Sequence, residues 1–440
     1  MRKLILSLIT FLTISSAYAQ NADIRVSELI NSSDWFTLEK EYPLLKDSIQ
    51  YDYVRLMAEA MLAQNFNREA EAVDLFRTLI NSYQQQIGGS NVALSLTEIV
   101  LGNYERLGMY STAADKAANL IEQIKASNAP IDYSRLADIH KRNLSLKKYD
   151  APSVVFNNSK DISIPFTMEC TDTLLFDNQN PVSNRYYIPV TVHGKEYQFM
   201  FDTGATTTYF SKRFADLIGV EFVGYSSKYG DYFYLDSLQL GNIICKNIIG
   251  PAHNGTPIDS VATVDAVIGM DILQRLGEIQ IDNKKRCLVI PSRYTPTPKY
   301  GKNLRNTAFS YYVKATDSTG LLNVFLDSGA ETGFTYNYFV KHKEEFSQLR
   351  GTKEVTIGRV DGFYSTMAIK VPSVKFEVCG IDVNMQDVYV PYMNQHHEIN
   401  DVVLGVDFFQ QYDKVILNFK NMFMMTKSEI QNQSIMVFPH

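Results

Sequence analysis

The sequence predicts a multidomain protein, an N-terminal all-α region of helical-repeat type followed by an all-β region made of two similar lobes. Three observations predict it. Apolar residues recur at helical spacing from Ser27 to Leu146, alternating and β-branched stretches take over after Lys148, and one pair of motifs occurs twice in the second part. The first motif is an apolar triplet running into an acidic turn: Phe199-Met200-Phe201-Asp202-Thr203-Gly204-Ala205, and again Val324-Phe325-Leu326-Asp327-Ser328-Gly329-Ala330. The second is a hydrophobic-Gly turn, Asp265-Ala266-Val267-Ile268-Gly269-Met270-Asp271 and then Asp401-Val402-Val403-Leu404-Gly405-Val406-Asp407. Asp282 lies as far beyond Gly269 as Asn418 lies beyond Gly405, so the downstream register repeats as well. An ordered duplication of this kind brings two aspartates to equivalent places.

Taken in order, residues 1–19 read as a signal peptide. Met1-Arg2-Lys3 is cationic, Leu4 to Ile14 is almost wholly apolar, and Ala17-Tyr18-Ala19 has the small-x-small form of a cleavage site. The expectation is an exported chain, periplasmic or secreted after cleavage near Ala19, with no membrane span, since no later apolar run is long enough.

Residues 20–149 are expected to form the α-helical domain. Gly and Pro are sparse there, and two segments look like one unit repeated at an offset of 44: Phe66, Ala70, Val73, Phe76, Ile80 and Tyr110, Ala114, Ala117, Leu120, Ile124. Small residues where helices approach and aromatics where gaps need filling suit a stacked helix-turn-helix array. The pattern faintly resembles tetratricopeptide repeats. Such an array either presents a groove to a protein partner or serves as a packing domain.

Residues 150–183 read as connecting strands or linker, 184–292 as the first β lobe, 293–303 as an inter-lobe linker rich in proline, and 304–440 as the second lobe. In the first lobe a strand from Tyr187 to Val192 turns at His193-Gly194-Lys195 and returns to deliver Asp202 at a strand end. Gly204 and Gly329 are needed because the chain turns sharply under an opposing loop. The hydroxyls of Thr203 and Ser328 are placed to bond the neighbouring turn, and Ile268-Gly269 and Leu404-Gly405 to support each turn from below. Asp271 and Asp407 are expected to cap the short helices that follow. Between the two motifs of each lobe lie flap candidates: Tyr225, Tyr229 and Gly230 in the first, Asp361 and Gly362 in the second.

With 45% hydrophobic residues the 440-residue chain is able to bury more than one core. A net charge of -6 without a Lys/Arg cluster argues against a nucleic-acid partner. Four cysteines, Cys170, Cys245, Cys287 and Cys379, are too few for a disulfide scaffold and none has metal-ligand spacing; the adjacent His396-His397 pair fits a loop better than a metal site.

The motif pairs resemble those of the retropepsin-like aspartic peptidases. The resemblance covers the second part of the chain, twice over, and leaves the helical region outside it. It implies a fused, pepsin-like bilobal arrangement of retropepsin-like lobes with Asp202 and Asp327 as a dyad, hydrolysing the peptide bonds of a protein or peptide substrate by activated water, with no metal or organic cofactor. Two crowded carboxyls share a proton, so the pair holds an acid and a base together. The alternatives at this stage are a catalytically inactive peptide-binding module and a helical-repeat scaffold or adaptor. One departure stands out: Glu331 follows the second turn where Thr206 follows the first.

Overall fold

A computed structural model describes residues 20–127, 130–156, 160–169, 185–253, 264–359, 362–393 and 399–427. The expected signal peptide, Cys170, Asp361 and the His396-His397 pair lie outside the described residues. The chain divides into two compact units, one of Met1–Ala151 with Arg305–Ala308, the other of Pro152–Leu304 with Phe309–His440.

The first unit is helical: α1 (Gln20–Asn31), α2 (Trp35–Leu45), α3 (Asp52–Asn65), α4 (Glu69–Ser82), α5 (Ser90–Arg106), α6 (Tyr110–Ala126) and α7 (Ser134–Leu146). Asp34 caps α2 by accepting the Thr37 N–H at 3.0 Å. Fully buried Ala58, Ala60 and Ala63 on α3, Ala72 on α4, and Ala113 and Ala117 on α6 let the helices approach, and Phe76 fills the space between. The helix starts do not fall at the offset expected of the repeat. Helices α4 and α6 begin at residues 69 and 110, an offset of 41 rather than 44. The same offset relates Asn67 (φ 56°) to Gly108 (φ 72°), the left-handed residues in the two inter-helix turns. At 44 the exposed Ala70 would align with the buried Ala114; at 41 the buried Ala72, Val73 and Phe76 match Ala113, Ala114 and Ala117.

The second unit is β-rich. Its strands are β1 (Ser153–Phe156), β2 (Ile162–Pro165), β3 (Thr167–Glu169), β4 (Arg185–Val192), β5 (Lys195–Phe201), β6 (Tyr209–Ser211), β7 (Glu221–Ser227), β8 (Gly230–Leu240), β9 (Ile243–His253), β10 (Ala266–Ile268), β11 (Glu278–Asp282) and β12 (Cys287–Ile290). They continue as β13 (Leu304–Thr307, which after Leu304 belongs to the first unit), β14 (Ser310–Asp317), β15 (Gly320–Leu326), β16 (Gly333–Phe334), β17 (Thr352–Arg359), β18 (Gly362–Val378), β19 (Ile381–Pro391), β20 (Val402–Leu404), β21 (Lys414–Asn418) and β22 (Phe423–Lys427). Short helices α8 (Lys212–Ile218) and α9 (Met270–Leu273) serve the first part; α10 (Tyr336–Lys341), α11 (Lys343–Phe346) and α12 (Val406–Gln410) serve the second.

One sheet runs β1-β9-β6-β10-β5-β4-β8-β7, and a second runs β16-β20-β15-β14-β18-β17 with β19 on β18. The first closes on itself, because β8 pairs with β4 at Thr191↔Gln239 and with β9 from Asp231↔Ala252 to Leu240↔Ile243. Its interior holds Phe199, Phe210 and Phe233, with the Phe210 and Phe233 rings stacked at 4.3 Å. A third sheet, β2-β12-β11-β21-β22, joins the two repeats: Glu278 pairs with Asn418 and Asp282 with Lys414. The repeated downstream register thus belongs to two strands lying antiparallel side by side.

The proline-bearing stretch after β12 is tied down along its length. Ser292 donates to Asp161, and the Thr295 amide and hydroxyl bond the fully buried carboxylate of Glu278, both at 2.7 Å. That carboxylate also accepts from Asn418 at 2.6 Å, which satisfies a charge that burial would otherwise penalise heavily. In the expected connection before β4, β1 pairs with β9, β2 with β12 and β3 with β4.

Candidate active site

Each repeat delivers its aspartate from the end of a buried strand that has a parallel neighbour. Val267 and Ile268 of β10 lie beside Met200 and Phe201 of β5; Val402 to Leu404 of β20 lie beside Val324 to Leu326 of β15. Strands enclosed in this way read as continuous apolar runs, which is why the triplets before both aspartates look alike. The Asp202 amide donates to Ile268 O at 3.2 Å and the Asp327 amide to Leu404 O at 3.0 Å. The partner motif therefore fixes where each acidic turn begins.

Glycine is required where the loops cross. A Cβ at Gly269 would meet the backbone of Thr207 and Ala205, and one at Gly405 the backbone of Glu331 and Thr332. Beneath the turns, the Met270 amide donates to Ala205 O and the Val406 amide to Ala330 O, both at 2.8 Å.

Asp271 and Asp407 do not cap the following helices. Gly269 and Gly405 occupy the cap positions, with no side-chain bond, and the two aspartates lie in the first turn. Asp271 instead accepts the Thr208 amide and hydroxyl at 2.8 and 2.9 Å, and Asp407 accepts both groups of Thr332 at 2.8 Å. The same threonine hydroxyls accept the Gly269 and Gly405 amides at 3.1 and 2.9 Å. Each carboxylate thus ties the far end of the acidic turn to the hydrophobic-Gly turn. The physical reason is burial: Asp271 is 5% exposed, and the donors it meets belong to the packed loop. Burial pushes Asp271 up to about 6 against the pull of the Thr208 hydrogen bonds, and raises Asp407 in the same way.

The two turns are cross-linked through their second residues. The Thr203 amide donates to Ser328 Oγ at 3.0 Å and the Ser328 amide to Thr203 Oγ1 at 2.9 Å. Thr203 Oγ1 then donates to Leu326 O at 3.3 Å, and Ser328 Oγ to Phe201 O at 3.1 Å. Both side chains are fully buried, so each hydroxyl accepts and donates across the junction with no competing water. This lock holds the carboxyls together. Gly204 donates to Asp202 Oδ1 at 2.8 Å, Gly329 donates to Asp327 Oδ1 at 2.9 Å, and each carboxyl shifts the proton affinity of the other. Each glycine also faces the opposite acid: a Cβ at Gly204 would overlap the Asp327 carboxyl, and one at Gly329 would come within 2.5 Å of Asp202 Oδ2.

Burial raises both carboxyls, and the neighbouring Asp202 charge lifts Asp327 well above the usual carboxylate range. The pair retains a shared proton at pH values where an exposed carboxylate has lost its own. It presents a general acid and a general base at one point.

The described contacts of the first flap candidates lie with their own sheet. Tyr225, 3% exposed, meets the Tyr232 ring edge-on at 5.0 Å; Tyr229 lies 6.2 Å from the His253 ring; Gly230 sits against Ala252, where a Cβ would overlap its carbonyl. In the β7–β8 hairpin, β8 pairs with β9 from Asp231 onward, next to the turn. In the second hairpin β18 pairs with β17 from Gly362 to Ile369 and with β19 from Ala368 onward. Glu331 is exposed and its charge raises Asp407.

Sequence reasoning missed Thr208, Thr332 and Arg185. Arg185 is 6% exposed, and its Nε donates to the Gly329 carbonyl at 2.8 Å, reaching from β4 to the second acidic turn. A signal was present: with a two-residue turn at His193-Gly194, the β4–β5 register from Val192↔Lys195 to Tyr187↔Met200, continued by two residues, sets Arg185 opposite Asp202.

A family model described as aspartyl protease matches residues 188–272, from β4 through the first acidic turn to α9. No curated protein matches the chain.

Proposed function

We propose that the chain is an exported aspartic endopeptidase, with two retropepsin-like lobes in one chain and a dyad of Asp202 and Asp327. The observation that carries this reading is the pair of buried carboxyls, each braced by its own turn and facing the glycine of the other. The family match over residues 188–272 supports it for the first lobe, and the repeated turn, partner strand and threonine clamp support it for the second. Export rests on the composition of residues 1–19 alone.

In this reaction a water lies between the two carboxyls. The ionised member takes its proton as the oxygen attacks the peptide carbonyl, and the protonated member donates to the oxyanion that forms. Collapse of the tetrahedral species passes a proton to the leaving amine. The cross-linking hydroxyls contribute position, since the dyad works only when both carboxyls address one water.

The test is cleavage of a mixed peptide library by the mature chain and by Asp202→Asn and Asp327→Asn. Each single substitution should lower turnover by about 100- to 10,000-fold, because one carboxyl is unable to serve as acid and base together. Retention of most of the turnover in either variant overturns the mechanism, and a folded wild-type chain that binds peptides without cleaving them makes it a binding module.

A further inference from the structure

We infer that Arg185 is a positioning residue for the aspartate pair: from β4 its guanidinium anchors the second acidic turn through the Gly329 carbonyl and brings a buried cation to the pair. The inference rests on the aspartic-peptidase reading and deepens it.

The geometry has two parts. A guanidinium has no neutral form in reach of ordinary pH, so a residue that is 6% exposed carries its charge into the interior, where salt screens it less than at the surface. Its Nε bond to Gly329 O, at 2.8 Å, grips the residue whose amide braces Asp327. Anchoring on one side and bracing on the other make the Gly329 peptide a link between the arginine and the acid. The β4–β5 register, continued by two residues, also sets Arg185 across from Asp202. One cation therefore addresses both turns, and its charge favours the ionised form of both carboxyls, against the burial that favours the neutral form.

The neighbouring charges are arranged so that this cation has a distinct role. Besides burial and the amides of their own turns, each member of the pair feels the other member and Arg185. Asp271 and Asp407 are turned onto Thr208 and Thr332, Arg275 of the first repeat acts on Asp271, and exposed Glu331 acts on Asp407. Without the arginine, the proton would be held to higher pH and the second turn would lose an anchor that the Thr203–Ser328 lock does not supply, because that lock grips Ser328 and not the Gly329 carbonyl.

The experiment compares Arg185→Gln and Arg185→Lys with the wild-type chain, reading the pH dependence of kcat/KM and, separately, the carboxyl-carbon NMR titration of the pair. In the Gln variant both limbs of the profile and both steps of the titration should move to higher pH, by about 1 unit for removal of a nearby opposite charge. In the Lys variant, which keeps a cation but loses the fixed Nε donor, the limbs should stay near wild type while kcat falls and KM changes little. A Gln variant with a lower rate and unmoved limbs would reduce Arg185 to a structural prop and overturn the inference. A Lys variant shifted as far as Gln would overturn it too. Should Gln fail to fold, the Lys variant alone decides: unmoved limbs with reduced kcat support the inference, and a moved profile or unchanged kcat overturns it. Failure of the underlying reading looks different, since a wild-type chain without cleavage leaves the NMR titration to report on Arg185 by itself.

Discussion

The residues that organise the acidic turns are small, hydroxylated and buried. Thr203 and Ser328 act as donor and acceptor at once, and Thr208 and Thr332 do the same one loop further on. Asp271 pairs this chemistry with a cost. One of its oxygens holds Thr208, while Oδ2 is buried and finds no hydrogen-bond partner among the described residues. Burial raises this carboxyl from 3.8 to about 6, so the folded chain binds the proton more readily than the unfolded chain. Stability from this group is therefore present below the unfolded value and lost as pH rises through the folded one. Asp271→Asn keeps an oxygen for Thr208 and removes the charge. It should flatten the fall in unfolding midpoint across that window and leave the protein more stable above it, by on the order of 2 kcal/mol. Thermal unfolding of both chains from acid to neutral pH checks this.

At the scale of elements, the unit of design is a turn, its parallel support strand and the short helix after it. The first copy places Thr208 six residues beyond Asp202 and the second places Thr332 five beyond Asp327, yet both threonines close the same clamp. The loop thus absorbs an extra residue without moving the acid, because the strand ends fix its position. What it does not absorb is bulk between the turns. In Gly329→Ala the new methyl would press on the Asp202 carboxyl, which the Gly204 amide already holds. The variant should stay folded and lose kcat/KM by about 100-fold, the cost of misplacing a reacting group by roughly an ångström. Kinetics on a short peptide, together with the far-ultraviolet spectrum, separates this outcome from unfolding. The helical repeat has the same logic: Asn67 and Gly108 sit at matched positions because the turn demands a left-handed residue, and Gly and Asn adopt that conformation at least cost.

At the scale of the molecule, both aspartates lie in the same compact unit of a single chain, joined by a sheet that takes β11 and β12 from one repeat and β21 and β22 from the other. A site complete within one chain predicts activity per mole that is constant on dilution, whereas a site built between chains would lose activity as subunits separate. Rate measured over a hundredfold dilution, alongside sedimentation, distinguishes them. The helical unit takes in Arg305–Ala308 from far along the sequence, with Asn306 Nδ2 donating to Asn67 Oδ1 at 2.8 Å. A periodicity change near Lys148 gave no hint of that return, since a four-residue segment is too short to show a period.

By itself the sequence determined the elements whose signal is local. Among the described residues no helix is long and apolar enough to cross a membrane. The change of period after Lys148, the two acidic turns and their hydrophobic-Gly partners were all legible, because strand burial and sharp turns impose residue types over a few positions. Tertiary structure alone decided which side chains meet. Asp271 looked like a helix cap until Thr208 proved to be its partner, 63 residues away in sequence. Arg185 lay two residues before the expected strand and carried no role until Gly329, 144 residues on, proved to hold its Nε. Long-range hydrogen bonds leave no periodic trace, since any buried donor satisfies a buried acceptor and only the packed fold selects which one arrives.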